Sequence, residues 1–180
     1  MPASSSRSVA PTAGSVVVSA CLVAKLELVL AFDILEAYRD TGDREGGAAM
    51  AEVSALSVAE KAWECWIAAD LDGFLSLWHE DGVWTNAGHS QISGARQGHQ
   101  AIGDVARTVF ELSGGTFKAH PVELVASGDD AVLGRFHMVA ERDNVKLDQE
   151  GLQRMVVRDG KLVTLDNLFT DESAMDAFFA

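Results

Sequence analysis

Little in this sequence invites a covalent, metal-based or nucleic-acid-directed function. Only two cysteines occur among 180 residues, Cys21 and Cys65, and neither has a spacing that suits a metal or a redox pair. That excludes a disulfide framework and fits a reducing compartment, so the expected location is the cytoplasm. Positive charge is scarce: 14 Lys and Arg stand against 27 Asp and Glu, a formal net charge of −13. Binding a phosphate backbone needs clustered cations, so nucleic acid is excluded as a partner and an anionic membrane surface is disfavoured. The acidic residues are dispersed, which reads as a solvated surface. Long apolar runs are missing too. Ser15 to Ala24 has the character of a signal-peptide core, but no convincing cleavage site follows it. Lys25, Glu27 and Asp33 interrupt the run before it reaches the ~20 residues of a membrane span. The five histidines, His79, His89, His99, His120 and His137, include no pair at H-x-H or H-x-x-x-H spacing, so no metal site is expected. No Gly-rich phosphate cradle, Ser-His-Asp set or nucleophile elbow is present, and no cofactor is implied.

What is present is a hydrophobic content of 48%, enough for one domain with a substantial core. Residues 1–49 differ from the rest. Met1 to Gly14 is rich in Ser, Ala and Pro, Leu26, Val29, Leu30 and Ile34 have helical spacing, and Asp40 to Gly47 reads as a linker. This stretch is expected to be a disordered or partly helical extension, dispensable for function, ahead of a domain over residues 50–180. In that domain Ser57-Val58-Ala59-Glu60 has the form of a capping box, and Leu56, Ala59, Trp63, Trp66 and Ile67 recur on one helical face. Asp70 predicts the cap of a second helix with Leu71, Phe74, Leu75 and Trp78 inward. A short strand around Val83 to Asn86 and a polar loop, Gly88 to Gly98, precede a third helix carrying Ile102, Val105, Ala106, Val109 and Phe110, stopped by Ser113-Gly114-Gly115. The period then changes to that of strands at Thr116 to Ala126, Ala131 to Glu141, Val145 to Val157 and Leu162 to Phe169. Asp143-Asn144 and Asp159-Gly160 are hairpin turns between them, and a terminal turn carries Met175, Phe178 and Phe179. Helices followed by a long meander mean α+β, with the helices on one face of a curved sheet.

Four stretches carry a family resemblance. They are Ala69-Asp70-Leu71-Asp72-Gly73-Phe74-Leu75-Ser76-Leu77-Trp78, Glu80-Asp81-Gly82-Val83-Trp84, Gly98-His99-Gln100-Ala101-Ile102 and Val157-Arg158-Asp159-Gly160-Lys161-Leu162-Val163. In this order they resemble the SnoaL-like polyketide cyclases, within the ketosteroid-isomerase-like branch of the nuclear-transport-factor-like superfamily. The resemblance implies a cone-shaped α+β barrel, three N-terminal helices packed in a curved antiparallel sheet around a cavity, and a homodimer formed through the outer sheet face. It does not fix a reaction, because this fold hosts cyclases, isomerases, hydrolases and binding domains.

Aligned on those stretches, the inward positions are Ala62, Trp63 and Trp66 on the first helix and Trp84, Asn86 and Gly88 on the first strand. Phe136, Met138 and Ala140, then Gln149, Gly151, Gln153 and Met155, then Leu165, Asn167 and Phe169 complete the set. The resemblance places the carboxylate base of ketosteroid isomerases at Asn86, and their oxyanion donors at Ala62 and Gln153. An amide has no usable basicity and alanine no hydroxyl, so proton abstraction from carbon is not expected, and the aldol route of aromatic polyketide cyclases is weakened with it. An Asp-Arg-Asp epoxide-hydrolase set could come only from Arg135, Asp148 and Asp166, which face outward in this register. His89, on the loop that rims the cavity mouth in this fold, is a candidate mobile acid or base, while His137 faces outward. The expected function is cyclisation of an apolar polyketide-type natural product by shape-directed ring closure, a cycloaddition or conjugate addition without a strong base. Asn86, Gln153 and His89 are the candidate catalytic groups. Trp63, Trp66, Trp84, Phe136, Met138, Met155, Leu165, Asn167 and Phe169 are the candidate substrate contacts. The alternatives are a non-catalytic small-molecule binding domain, or an isomerase or epoxide hydrolase of the same fold.

Overall fold

The structure, a computed structural model, describes residues 53–180. The extension expected over residues 1–49 lies outside the described residues. The first helix, α1 (Ala55–Ile67), starts three residues earlier than the proposed capping box implies. Ser54 is the cap: its hydroxyl accepts the Ser57 N–H at 3.1 Å, and Ser57 Oγ returns a bond to the Ser54 carbonyl at 2.8 Å. Glu60 therefore lies a turn too far along to close a box. Ile67, expected on the inward face, is 60% exposed at the last turn. α2 (Leu71–Ser76) is capped by the Asp70 carboxylate, which accepts the Gly73 N–H at 2.9 Å. It ends before Trp78, which begins β1 (Trp78–Asn86) instead of closing a helical face. The Leu77 carbonyl accepts the Leu162 N–H at 2.8 Å, so sheet pairing captures the chain there before another helical turn can form.

The polar loop after β1 contains a short strand, β2 (Gly94–Gln97), which leads into α3 (Gly98–Leu112). Then follow β3 (Lys118–Ser127), β4 (Ala131–Arg142), β5 (Val145–Arg158), β6 (Lys161–Phe169) and α4 (Glu172–Phe178), the last a short helix where a turn was expected. Among the described residues the strands form one sheet in the order β2-β1-β6-β5-β4-β3. Its pairs are antiparallel except β1 with β6, which run parallel. The hairpin-linked meander fixes the antiparallel directions of β3 to β6, whereas β1 joins across a long connection that imposes no reversal. Both turns read from the sequence have the backbone they require: Asp143 and Asn144, and Asp159 and Gly160, all have positive φ. A register shift at Pro121 in β3 bends the sheet. α1 and α3 bury Ala59, Ala62, Ile102, Val105 and Ala106 in one core with the inner sheet residues Trp78, Met138, Met155 and Leu162 and with Phe178 and Phe179 of the C-terminal segment. No helix among the described residues is long and apolar enough to cross a membrane.

Candidate functional site

Strand register decides which polar side chains meet. Asn86 of β1 pairs with Asn167 of β6, and Asn167 pairs with Gln153 of β5, so three amides lie in one row across three adjacent strands. The row continues to Gly134 of β4. A Cβ on Gly134 would meet Leu124 Cδ2 at 2.9 Å and lie in ordinary contact, 3.4 Å, with Gln153 Oε1. All three amides face inward, at 3% exposure for Asn86, 5% for Gln153 and 8% for Asn167. Buried amides need partners, and these find one another. Trp63 Nε1 on α1 donates to Gln153 Oε1 at 3.0 Å, and Gln153 Nε2 donates to Asn167 Oδ1 at 3.3 Å. Asn167 Nδ2 donates to Asn86 Oδ1 at 3.0 Å, and Asn86 Nδ2 donates to the backbone carbonyl of Ile92 at 3.1 Å.

The sense of this relay is fixed by its ends. An indole N–H can only donate and a backbone carbonyl can only accept. Turning over any one amide would set oxygen against oxygen on one side and N–H against N–H on the other. All three amide orientations therefore follow from Trp63 and Ile92.

The relay forms one wall of a cavity with about 560 Å³ of atom-free space, a figure that includes solvent at its rim. Trp63, Trp66 and Ala62 of α1, Phe74 of α2, Trp84 of β1, Val109 of α3 and Ala119 of β3 line it with the amides. Phe136 of β4, Met155 of β5, Phe169 of β6 and Met175 of α4 complete the wall with Ile92 and Phe117. Trp66 is the hub of the aromatic side, with ring centroids 5.6 Å from Phe74, 5.7 Å from Trp84, 5.2 Å from Phe110 and 6.4 Å from Phe117. Gly151 lies between Phe136 and Phe169 in the next row of the sheet, and a Cβ there would come within 2.5 Å of the Phe136 ring. The Trp84 indole N–H has no hydrogen-bond acceptor. No side chain in the lining is ionisable. The site can hold an apolar frame, stack against rings and exchange hydrogen bonds with neutral oxygens, but it offers no proton donor or acceptor of useful strength.

Trp63, Trp66, Trp84, Asn86, Phe136, Gln153, Met155, Asn167 and Phe169 are brought together here. Met138 and Leu165 share their inward parity but are packed in the core behind the wall. His89 is exposed on the segment after β1 and its ring does not line the cavity; its backbone N–H donates to Asp176 Oδ1 at 2.7 Å. Gly88 lies beyond β1, half-buried, and Gln149 is drawn away from the cavity by the start of α4, accepting the Asp171 N–H at 2.8 Å. The lining residues absent from the inward set are Phe74 of α2, Val109 of α3, Ala119 of β3, Met175 of α4, and Ile92 and Phe117, which lie outside helices and strands.

The charged residues lie on the other side of the sheet. Arg135 pairs with Glu150 at 2.9 Å, His137 Nε2 lies 2.7 Å from Asp148, and Arg154 lies 3.9 Å from Asp166. Burial pushes the Asp166 carboxyl above the usual carboxylate range, against opposing pulls from its Thr85 hydrogen bond and from Arg154. Arg135, Asp148 and Asp166 thus hold outer-face partners and do not converge on the cavity. No group of three His, Cys, Asp or Glu among the described residues is placed to hold a metal.

A comparison with curated proteins gives no significant match. Solved structures with this fold include Bal32a from a soil-derived mobile gene cassette, 25% identical with a TM-score of 0.67 over 70% of this chain and 96% of that one. TerC, co-crystallised with polyporic acid, is 20% identical with a TM-score of 0.62 over 69% and 97%. RV0760c from Mycobacterium tuberculosis, in complex with estradiol-17beta-hemisuccinate, is 20% identical with a TM-score of 0.55 over 63% and 92%. The family model for the SnoaL-like domain matches residues 59–165, from within α1 into β6; the match includes Asn86 and Gln153 and ends two residues before Asn167. With more than half its length matched and its fold shared with these structures, the chain belongs to the SnoaL-like domain family.

Proposed function

We propose that the domain binds a small, neutral, predominantly apolar molecule of polyketide or polycyclic type, carrying carbonyl or hydroxyl oxygens, in this cavity. The observation that carries the reading is the lining itself: aromatic and aliphatic walls, three amides and no ionisable side chain. Taking a charged ligand into such a site would strip its hydration with no counter-ion to replace it. A neutral ring system instead gains apolar burial and retains hydrogen bonds at its oxygens. TerC was co-crystallised with polyporic acid and RV0760c was solved in complex with estradiol-17beta-hemisuccinate; both ligands are ring-built and support the apolar frame. The acidic group each carries is not part of the proposed class, whose neutrality rests on the lining alone.

A second reading is favoured by the relay. Each amide in it accepts a hydrogen bond at oxygen, which strengthens the donors on its nitrogen. Amide donors aimed at a ligand carbonyl, within walls that fold a flexible chain, suit a ring closure that needs no proton transfer. In this reading the protein is a shape-directed cyclase with Asn86 and Gln153 as polar contacts.

The test is mass-spectrometric. The full-length protein is incubated with an extract of a strain lacking the gene, then separated and denatured. A compound retained and released unchanged supports binding alone. Conversion to a product of identical mass and shifted retention supports an isomerising cyclase. Gain or loss of one water would sink both readings, since neither provides the acid or base that such a step needs.

A further inference from the structure

Most of the cavity wall belongs to the sheet and to α1 and α3, where opening a path would break strand ladders or helices of 13 and 15 residues. Phe74 of α2 is wedged among the rings of Trp66, Trp78 and Trp84. Two segments outside these elements also reach the wall. The connection between α3 and β3 contributes half-buried Phe117, whose ring lies 6.0 Å from that of Phe179, and the other is a short two-part cap at one end. The cap consists of residues 87–93, which contribute Ile92, and the seven-residue α4, which contributes Met175. Phe178 and Phe179 anchor the C-terminal segment in the core. The Ala87 N–H donates to the Asn167 carbonyl at 3.0 Å and Arg96 Nη2 to the Gln91 carbonyl at 3.2 Å, and a small clasp joins residues 87–93 to α4. Asp176 Oδ1 accepts two consecutive backbone N–H groups, from His89 at 2.7 Å and Ser90 at 2.9 Å. The Gln91 N–H donates to the Phe179 carbonyl at 3.3 Å, and Asn86 Nδ2 reaches the Ile92 carbonyl. Gly88 is needed for the clasp: its φ is +105°, and a Cβ there would lie 2.5 Å from the same Asp176 oxygen.

The cap is also where the amide relay ends. Because Trp63 cannot accept, the relay cannot reverse, and its far end is always the Asn86 N–H donor. In the closed structure Ile92 supplies the acceptor. Lifting residues 87–93 withdraws it and leaves a buried donor wanting an oxygen.

Resting on the reading of the cavity as a small-molecule site, we propose that this cap is its door and Asp176 the latch. Opening hands the Asn86 N–H from the Ile92 carbonyl to an acceptor oxygen of the ligand. The ligand class narrows accordingly. A ketone, quinone, ester or ether oxygen near one end of an apolar frame terminates the relay, whereas a ligand without an acceptor leaves it open. Asp176 touches neither ligand nor relay and is a positioning residue.

Two neutral probes differing in one group test this on the full chain: 6-propionyl-2-dimethylaminonaphthalene, a fluorescent ketone, and 2-dimethylaminonaphthalene, which lacks the carbonyl. Stopped-flow fluorescence gives association and dissociation rates for each. The parent protein is expected to bind the ketone roughly three- to tenfold more tightly, the worth of one hydrogen bond. Asn86→Leu removes that preference while still binding both probes. Asp176→Ala speeds association and dissociation together by about tenfold with little change in Kd, as loss of a gating contact should. Asp176→Asn keeps the Oδ1 acceptor and restores parental rates. Hydrogen exchange verifies the perturbation: in Asp176→Ala the His89 and Ser90 amides exchange faster while the β4–β5 ladder stays protected. Faster exchange with unchanged binding rates overturns the door. A ketone preference surviving in Asn86→Leu overturns the hand-over. Failure of the folded parent to bind either probe is a distinct result and sinks the small-molecule reading on which the proposal stands.

Discussion

Replacing Asn86 by aspartate tests the fixed sense of the relay, and it installs a carboxyl group where the family resemblance places the base of ketosteroid isomerases. The new side chain has the shape of the old one, and Asn167 Nδ2 still donates to it. The difficulty is on the other side, where the Ile92 carbonyl, now 3.1 Å from a donor, would face an oxygen. Turning the group over presents another oxygen. Only the protonated acid restores the bond, and burial at 3% exposure favours the neutral form as well. The carboxyl is therefore held protonated well above its ordinary value near 4. Between the unfolded and folded values the native chain binds more protons than the unfolded chain, so the variant loses stability as pH rises. The slope is at most ~1.4 kcal/mol per pH unit. A displacement of roughly two to four units, in the range found for buried carboxyls, removes about 3–5 kcal/mol once the folded value is passed. That is a large share of the roughly 5–15 kcal/mol by which domains are stable. Urea unfolding of parent and variant from about pH 4 to pH 8 reads the difference directly. Near the acid end the two should agree to within ~1 kcal/mol, and they should diverge as pH rises. A difference that stays constant with pH would mean that the partner at the relay's end can turn away, and the argument from its two ends would fail.

Trp63→Phe removes the relay's first donor and leaves Gln153 Oε1 buried without a partner; a loss of about 1–3 kcal/mol is expected as a lower urea midpoint with unchanged slope. Gly151→Ala drives a methyl group to within 2.5 Å of the Phe136 ring and 2.9 Å of the Leu168 carbonyl. Overpacking of this kind costs about 1–3 kcal/mol, and Phe136 yields into the cavity, so melting temperature and probe affinity should fall together; a lower melting temperature with unchanged affinity would show that the ring moves elsewhere. Burial raises the Asp166 carboxyl against the pulls of Thr85 and Arg154, so its contribution to stability is full in acid and lost as pH rises through the folded value. Asp166→Asn should therefore gain stability relative to the parent as pH rises above about 4, and a relative loss over that interval would refute the raised value.

The amides show how far the sequence reaches. Asn86, Gln153 and Asn167 each lie two residues from large apolar side chains in a strand pattern, so their inward parity is legible from the residues alone. Their partnership is not. Parity repeats every second residue, and sliding β6 by two positions would preserve every inward face while carrying Asn167 about 7 Å from Gln153. Only the ladder, with Asn86 opposite Asn167 and Asn167 opposite Gln153, makes them one relay. The same limit explains Met138 and Leu165: parity says that they point inward, but the curl of the sheet and the helices opposite decide whether an inward side chain meets open space or packed core. Trp78 fails for another reason, since a tryptophan four residues after Phe74 satisfies the helical period equally well, and the capture of Leu77 by β6 is a long-range event with no local signature. What the sequence does carry without any geometry is the chemistry that is missing. No carboxylate, histidine, lysine or arginine stands at the same-parity positions next to any of the three amides, and an absent acid cannot be restored by a change of partner along the sheet. The function is therefore bounded more firmly by residue identity than by fold. The fold adds direction: an indole at one end and a carbonyl at the other turn three interchangeable amides into a one-way chain of donors ending at the cavity's movable edge.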